Sequence, residues 1–339
     1  MSVSDSSAAA DDRVCWNPDF DALDQNLASV YEALNQLQKD YRTKRRSALM
    51  HSLFGLLFGA LLALTALAIE KSAEIAIVVF GVFLAGVVIY LSMRLGGFRS
   101  TYRNLYKNEV FRRVTETIAP DMTYQPHHCV ARSFFEECGL HASSIDRYSG
   151  EDYFSGQVGC TGVLFSELHV ERKETSRDSK GNTSTRWVTV FRGLFLVMDF
   201  HKDFQGETRI VTDVAESMFG WLGRKLQNIS GDLVRLENPE FEKAFKVCST
   251  DQVEARYLLT PSMQEQLLAL RQQWGHQIQF CLRRSLLFIS IPRSDRWFEI
   301  EGREEASHRA VVQQFSAQVL AVLHIVRVLN LNTRIWTKE

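Results

Sequence analysis

Apolar positions along the chain change period twice. From Phe20 through Leu23, Leu27, Val30, Leu34 and Leu37 to Tyr41 they recur at alternating spacings of three and four, the seam of a helix sustained for three heptads. This predicts an amphipathic, coiled-coil-type helix over 19–46. Two unbroken apolar runs follow, 49–69 and 75–93, separated by Glu70-Lys71-Ser72-Ala73-Glu74. Each is long enough to cross a hydrocarbon core of about 30 Å as a helix. The expectation is a transmembrane hairpin over 47–95. A further helical stripe, Tyr102, Leu105, Tyr106, Val110, Val114 and Ile118, predicts a juxtamembrane helix over 96–119 that stops at Pro120. The two stripes leaving the membrane can cover one another as an internal antiparallel pair, or form a seam between chains or with a partner.

Beyond Pro120 the periods mix, and residues 120–339 read as a cytoplasmic α+β domain. Strands are predicted at Val163 to Val170, Trp187 to Phe200, Arg209 to Val214, Asp232 to Leu236, Ile278 to Leu282 and Leu286 to Ile291, with Trp297 to Ile300 as an edge. The polar stretch Glu171 to Arg186, centred on Asp178-Ser179-Lys180-Gly181-Asn182, reads as a mobile hairpin loop. Helix starts are marked at Asn238-Pro239-Glu240, at Asp251-x-x-Glu254, which resembles a capping box, and at Thr260-Pro261. Another helix is predicted near Glu216 to Ile229. The last helix carries Val311, Phe315, Val319, Val322, Val326 and Leu329; His324 and Arg327 interrupt it and make it a core element rather than a third span. Residues 1–18, rich in Ser, Ala and Asp at the start, form a disordered tail.

Charge sets the expected orientation. Lys39, Arg42, Lys44, Arg45 and Arg46 precede the first run, Arg94, Arg99, Arg103 and Lys107 follow the second, and the connection has Lys71 between two acids. Cytoplasmic flanks are enriched in Lys and Arg, so both termini are expected in the cytoplasm of a two-pass inner-membrane protein. The 339 residues carry a net charge of −1, which argues against a nucleic-acid binder. Six scattered cysteines without a CxxC pair fit a reducing compartment. Small residues Gly55, Gly59 and Ala63 on one span, and Gly81 and Ala85 on the other, predict close helix packing.

Chemistry is harder to read. Acids near strands include Glu151, Asp152, Glu167, Asp199, Asp203 and Asp213; Asp152, Glu167 and Asp199 are the candidates for acid–base catalysis. His127, His128, Cys129, Cys138 and His141 offer zinc-type ligands, of which His128, Cys129, Cys138 and His141 are the metal candidates, but the spacing matches no closed site. Gly220-Trp221-Leu222-Gly223-Arg224-Lys225 lacks the Lys-Ser/Thr ending of a phosphate loop. No cofactor is called for. The sequence favours a membrane-anchored interaction or scaffold module over its alternative, a membrane-surface hydrolase.

The strings Gly150-Glu151-Asp152-Tyr153-Phe154-Ser155-Gly156, Phe191-Arg192-Gly193-Leu194-Phe195, Leu236 to Val247 and Asp251 to Pro261 resemble the bacterial domain-of-unknown-function family 3137, sometimes labelled galanin-like. The resemblance implies a two-span hairpin joined to a cytoplasmic domain. It also implies an envelope partner, because such proteins are often encoded near LemA-type membrane proteins. It supplies no catalytic residue. The expected partners are thus the lipid bilayer, an envelope protein of LemA type, and further copies of the chain.

Overall fold

The computed structural model describes residues 13–70, 73–141, 143–177, 183–212, 231–299, 307–329 and 331. The chain divides into two compact units, residues 21–110 and residues 111–339 together with the N-terminal residues up to 20. The predicted helix Glu216 to Ile229, the Asp178 to Asn182 turn, Gly220 to Lys225, Asp213, Ile300 and the first twelve residues lie outside the described residues.

In the first unit a single helix, α1 (Phe20–Glu70), contains both the heptad stripe and the first apolar run. α2 (Ala73–Leu95) and α3 (Phe98–Leu105) follow, and a π-helical turn, Tyr106–Phe111, leads out of the unit. Leu23, Leu27, Val30 and Leu34 are buried. The stripes of α1 and α3 meet within one chain: Gln38 Nε2 donates to the Tyr102 hydroxyl at 2.9 Å, and Tyr41 stacks on Phe98 with centroids 3.8 Å apart. Past Leu49 the pattern inverts, and large apolar side chains of α1 and α2 are exposed on all sides. By length and composition both helices are long and apolar enough to cross a membrane. Gly59 packs so closely on α2 that a Cβ there would stand 2.6 Å from Phe83 Cβ; Gly55 lies beside Val87, while a Cβ on Gly81 meets nothing.

The second unit is α+β, built on a nine-stranded antiparallel sheet. Its strands are β1 (Met122–Gln125), β2 (Arg147–Val158), β3 (Thr161–Arg177), β4 (Thr183–Asp199), β5 (Glu207–Thr212), β6 (Asp232–Val234), β7 (Phe245–Ser249), β8 (Gln279–Arg283) and β9 (Leu286–Pro292). They lie in the order β1-β2-β3-β4-β9-β8-β5-β7-β6. β4 is central, and its run Leu194 to Met198 is buried on both faces, as an uninterrupted apolar strand requires. Side chains alternate across the sheet. One face packs Leu168, Val170, Phe195 and Phe288 against α5 (Arg132–Glu137) through Phe135. The other packs Phe154 and Phe165 beneath Phe298 and Phe315. Phe315 belongs to α9 (His308–Val328), and it stacks on Phe111 just before α4 (Arg112–Ile118). α9 also has the length and composition of a span, but half of its most apolar window is buried within this unit.

The cap signals form helices α6 (Pro239–Ala244), α7 (Gln252–Leu258) and α8 (Pro261–Trp274), with Asn238, Asp251 and Thr260 accepting from the first-turn amides. Glu254 does not close a capping box. Its carboxylate instead accepts from the Gln205 and Gly206 amides and fastens the segment before β5.

Three expectations are corrected. Glu171 to Arg186 is not a loop, because β3 runs to Arg177 and β4 starts at Thr183, with Thr175 opposite Thr185. Threonines, Val188 and Trp187 suit an extended ribbon whether or not they are buried, and Glu174 bridges Arg172 and Arg186 across it. Trp297 to Glu299 is not a strand; β9 ends at Pro292 and the Trp297 amide is taken by the Glu167 carboxylate. Strands β1 and β2, absent from the sequence reading, form the far edge of the sheet.

Candidate functional site

The site begins with a defect in β2. Glu151 pairs with Glu167 of β3, but the register then slips, and the next partners are Phe154 and Phe165. Asp152 sits in this bulge with φ of 60°, a left-handed conformation that aspartate tolerates better than most residues. Its amide donates to the Pro126 carbonyl at 3.0 Å. In a regular strand Asp152 and Glu151 would face opposite ways. Here oxygens of Glu151, Asp152 and Glu167 all lie within 4.8 Å of one another.

Each acid is held from a different element. Asp152 is fully buried, and the Tyr124 hydroxyl of β1 donates to its Oδ1 at 2.5 Å. Burial first, then Asp152 and the flanking acids, hold the Tyr124 phenol well above its ordinary range, so it stays a donor. Glu167 Oε1 accepts the Trp297 amide. Arg296 Nη1 lies 3.5 Å from Glu151 Oε1 and 2.9 Å from Glu299 Oε2, supplying a positive charge at the rim. Three carboxylates in this space are a donor set for a hard divalent cation or for a shared proton.

Of the catalytic candidates, Asp152 and Glu167 come together, joined by Glu151. Asp199 does not join them: it ends β4, five residues along from Glu167's partner Leu194, about 17 Å at strand rise. Its carboxylate caps a turn, accepting the His201 amide at 2.9 Å. Asp203 accepts from the Ser285 hydroxyl.

Among the described residues none of the zinc-type candidates joins a group of three or more ligands. His127 and His128 are exposed, and Cys129 is half-buried against the core. Cys138 is buried, donates to the Phe135 carbonyl, and has its thiol pushed up to about 12 by burial. His141 lies between Phe135 and Phe191, with Nε2 2.9 Å from the Ser290 hydroxyl; burial lowers it to about 4. Cys129, Cys138 and His141 are packing elements of the sheet face under α5.

Tyr124, Arg296 and Trp297 complete the site and were not anticipated. The adjacent acids in Gly150-Glu151-Asp152 were visible, but their convergence needs the bulge, and Tyr124 arrives only through β1–β2 pairing at Tyr124 and Phe154.

Fold and site together define an α+β protein in which apolar helices able to cross a membrane accompany an antiparallel sheet domain with a buried acidic bulge. Residues 189–331, from within β4 to beyond α9, match the model of a family described as "Protein of unknown function (DUF3137)". None of the curated proteins compared matches the chain. A crystal structure of the mycobacterial trehalose monomycolate transport factor A aligns with 65% of this chain and 93% of its own, at 10% identity and a TM-score of 0.31, a likeness too slight to carry an argument.

Proposed function

We propose that the protein is a membrane-anchored interaction or scaffold module of the bacterial envelope. The second half of α1 and α2 cross the inner membrane as a two-pass hairpin, both termini are cytoplasmic, and the sheet domain docks a partner. The observation that supports this is the exposed apolar band: Phe54 is 67% exposed and Ile77 71%, in a chain whose sheet domain buries nearly all its large apolar side chains. A band of that extent is foreign to a water-soluble monomer. The basic flanks support the orientation, and the partner fits a second envelope protein, of LemA type, or another copy of the chain.

The test is fractionation with protease mapping. The protein should stay in the membrane pellet after a carbonate wash, and a tag after Glu339 should resist protease added outside spheroplasts. Release into the supernatant, or cleavage of the tag from outside, refutes the reading.

The convergence of Glu151, Asp152 and Glu167 favours a second reading, an acid–base hydrolase at the membrane surface. Complementation by Asp152→Asn and Glu167→Gln variants decides it. Full rescue by both removes the enzyme, and loss of rescue with an intact fold supports it.

A further inference from the structure

We propose that the groove between α1 and α2 seats one acyl chain of an anionic glycerophospholipid and holds its phosphate at the mouth, an inference that rests on the membrane-spanning reading of these helices. The groove is about 470 Å³ and runs along Val82, Phe83, Gly86 and Val87 to His51 and Tyr90. Gly86 leaves it open, since a Cβ there would meet nothing within 4 Å. It ends where the helices touch, at Gly59 and Phe83. Gly55 lies beside Val87 and Gly59 beside Phe83, so the antiparallel register sets His51 level with Tyr90. From Val82 to Tyr90 the groove is about 12 Å long at the helix rise, close to the depth of one leaflet, half of a core of about 30 Å. That length matches an acyl chain entering from one leaflet better than a helix that crosses both.

The mouth selects the headgroup, because a hydrocarbon chain already in lipid gains little from an apolar wall. His51 Nδ1 donates to the Ser47 carbonyl at 2.6 Å, which leaves Nε2 as the nitrogen that takes a further proton and donates to a phosphate oxygen. Tyr90 adds a phenol at the same level, the place that aromatic side chains with polar tips occupy at a membrane interface. One to two turns beyond stand Lys44, Arg45, Arg46 and Arg94, and no Asp or Glu occurs from 41 to 69 or from 75 to 108. The last carbonyls of α2 would by themselves oppose an anion, but α2 ends at Leu95 and α3 begins at Phe98, so an amide end of opposite partial charge stands beside them. The formal charge at this end of the hairpin is thus of one sign, and its complement is an anionic headgroup rather than a zwitterionic one.

The experiment is native mass spectrometry of the full chain released from micelles holding equal amounts of phosphatidylglycerol and phosphatidylcholine, beside a carbonate wash of the membranes that contain it. One phosphatidylglycerol per chain should be retained over phosphatidylcholine by at least ~5-fold, the contribution of about one cation near an anionic headgroup. Gly86→Leu fills the groove without disturbing the Gly59 and Phe83 contact and should abolish the preference. Gly81→Leu, on the same helix but outside the groove and equally open, should keep it. His51→Leu should lower it, and decides alone if Gly86→Leu does not accumulate; an unchanged preference there overturns the site. A preference that survives Gly86→Leu belongs to the basic flanks alone and also overturns the site, as does its loss in Gly81→Leu. So does a dimer that Gly86→Leu turns into a monomer, which would give the groove to a second copy. Equal retention of both lipids by a chain that stays in the carbonate-washed pellet overturns the site and leaves the anchored reading standing; a chain lost from the pellet overturns both.

Discussion

Acidification should loosen the sheet domain through His141. Its imidazole lies parallel to Phe135 at 4.9 Å, touches Phe191 and meets the buried Ser290 hydroxyl, and burial lowers it from 6.5 to about 4. The unfolded chain therefore binds a proton near pH 6.5, while the folded one refuses it until about pH 4. Stability is full above pH 6.5 and falls as pH drops toward 4. Between pH 7 and pH 5 the loss works out at about 2 kcal/mol at most, since the residue keeps part of its surface exposed. For a domain of this size that is roughly 4–8 °C in melting temperature. The assay is near-UV circular dichroism melting of the full chain in micelles at the two pH values, beside His141→Phe/Ser290→Ala. That pair removes the titrating group and the hydroxyl it would leave unpaired. Other acids contribute equally to both proteins, so the difference in slope isolates His141. Parallel slopes would refute the reasoning.

Four further outcomes are expected. Asp152→Ala should cost about 2–4 kcal/mol in chemical denaturation, because it strands the Tyr124 hydroxyl and leaves alanine in a left-handed conformation, whereas Asp152→Asn should cost under ~1.5 kcal/mol. Gly156→Ala places a Cβ 2.0 Å from the Asp121 carbonyl oxygen and should detach β1, read as lost amide protection over Met122–Gln125. Gly59→Leu should force α1 and α2 apart and shorten the protein's half-life in membranes, measured by pulse-chase, because Phe83 occupies the space needed. Asn238→Ala should lower stability by about 1 kcal/mol in the same denaturation assay, through loss of the Glu240 and Phe241 amide acceptor.

Periodicity and local chemistry carried much of this fold. The apolar runs of α1 and α2, the caps Asn238, Asp251 and Thr260, and the β8–β9 turn at Arg284 and Ser285 all follow from residues a few positions apart. Polar strands defeated the same logic, because Arg172 to Arg177 and Thr183 to Arg186 are held by each other and not by a core. β2 has no clean alternation to reveal it: Gly150 and Gly156 interrupt its pattern, and each lets a neighbouring backbone approach too closely for any side chain. The site was half legible. Asp152 and Glu167 are named from the sequence, but the exclusion of Asp199 and the arrival of Tyr124 and Trp297 depend on register and chain path.

The β3–β4 ribbon outruns its neighbours, since β2 begins pairing at Arg147 with Glu171 and β9 ends at Pro292 opposite Gly193. Its outer rims thus offer backbone hydrogen-bonding groups on two sides, the template on which stray chains polymerise. Charged side chains blunt such edges, and the ribbon is dense in them: Arg172, Lys173, Glu174, Arg177 and Arg186. Replacing them with uncharged β-formers would trade solubility for self-adhesion.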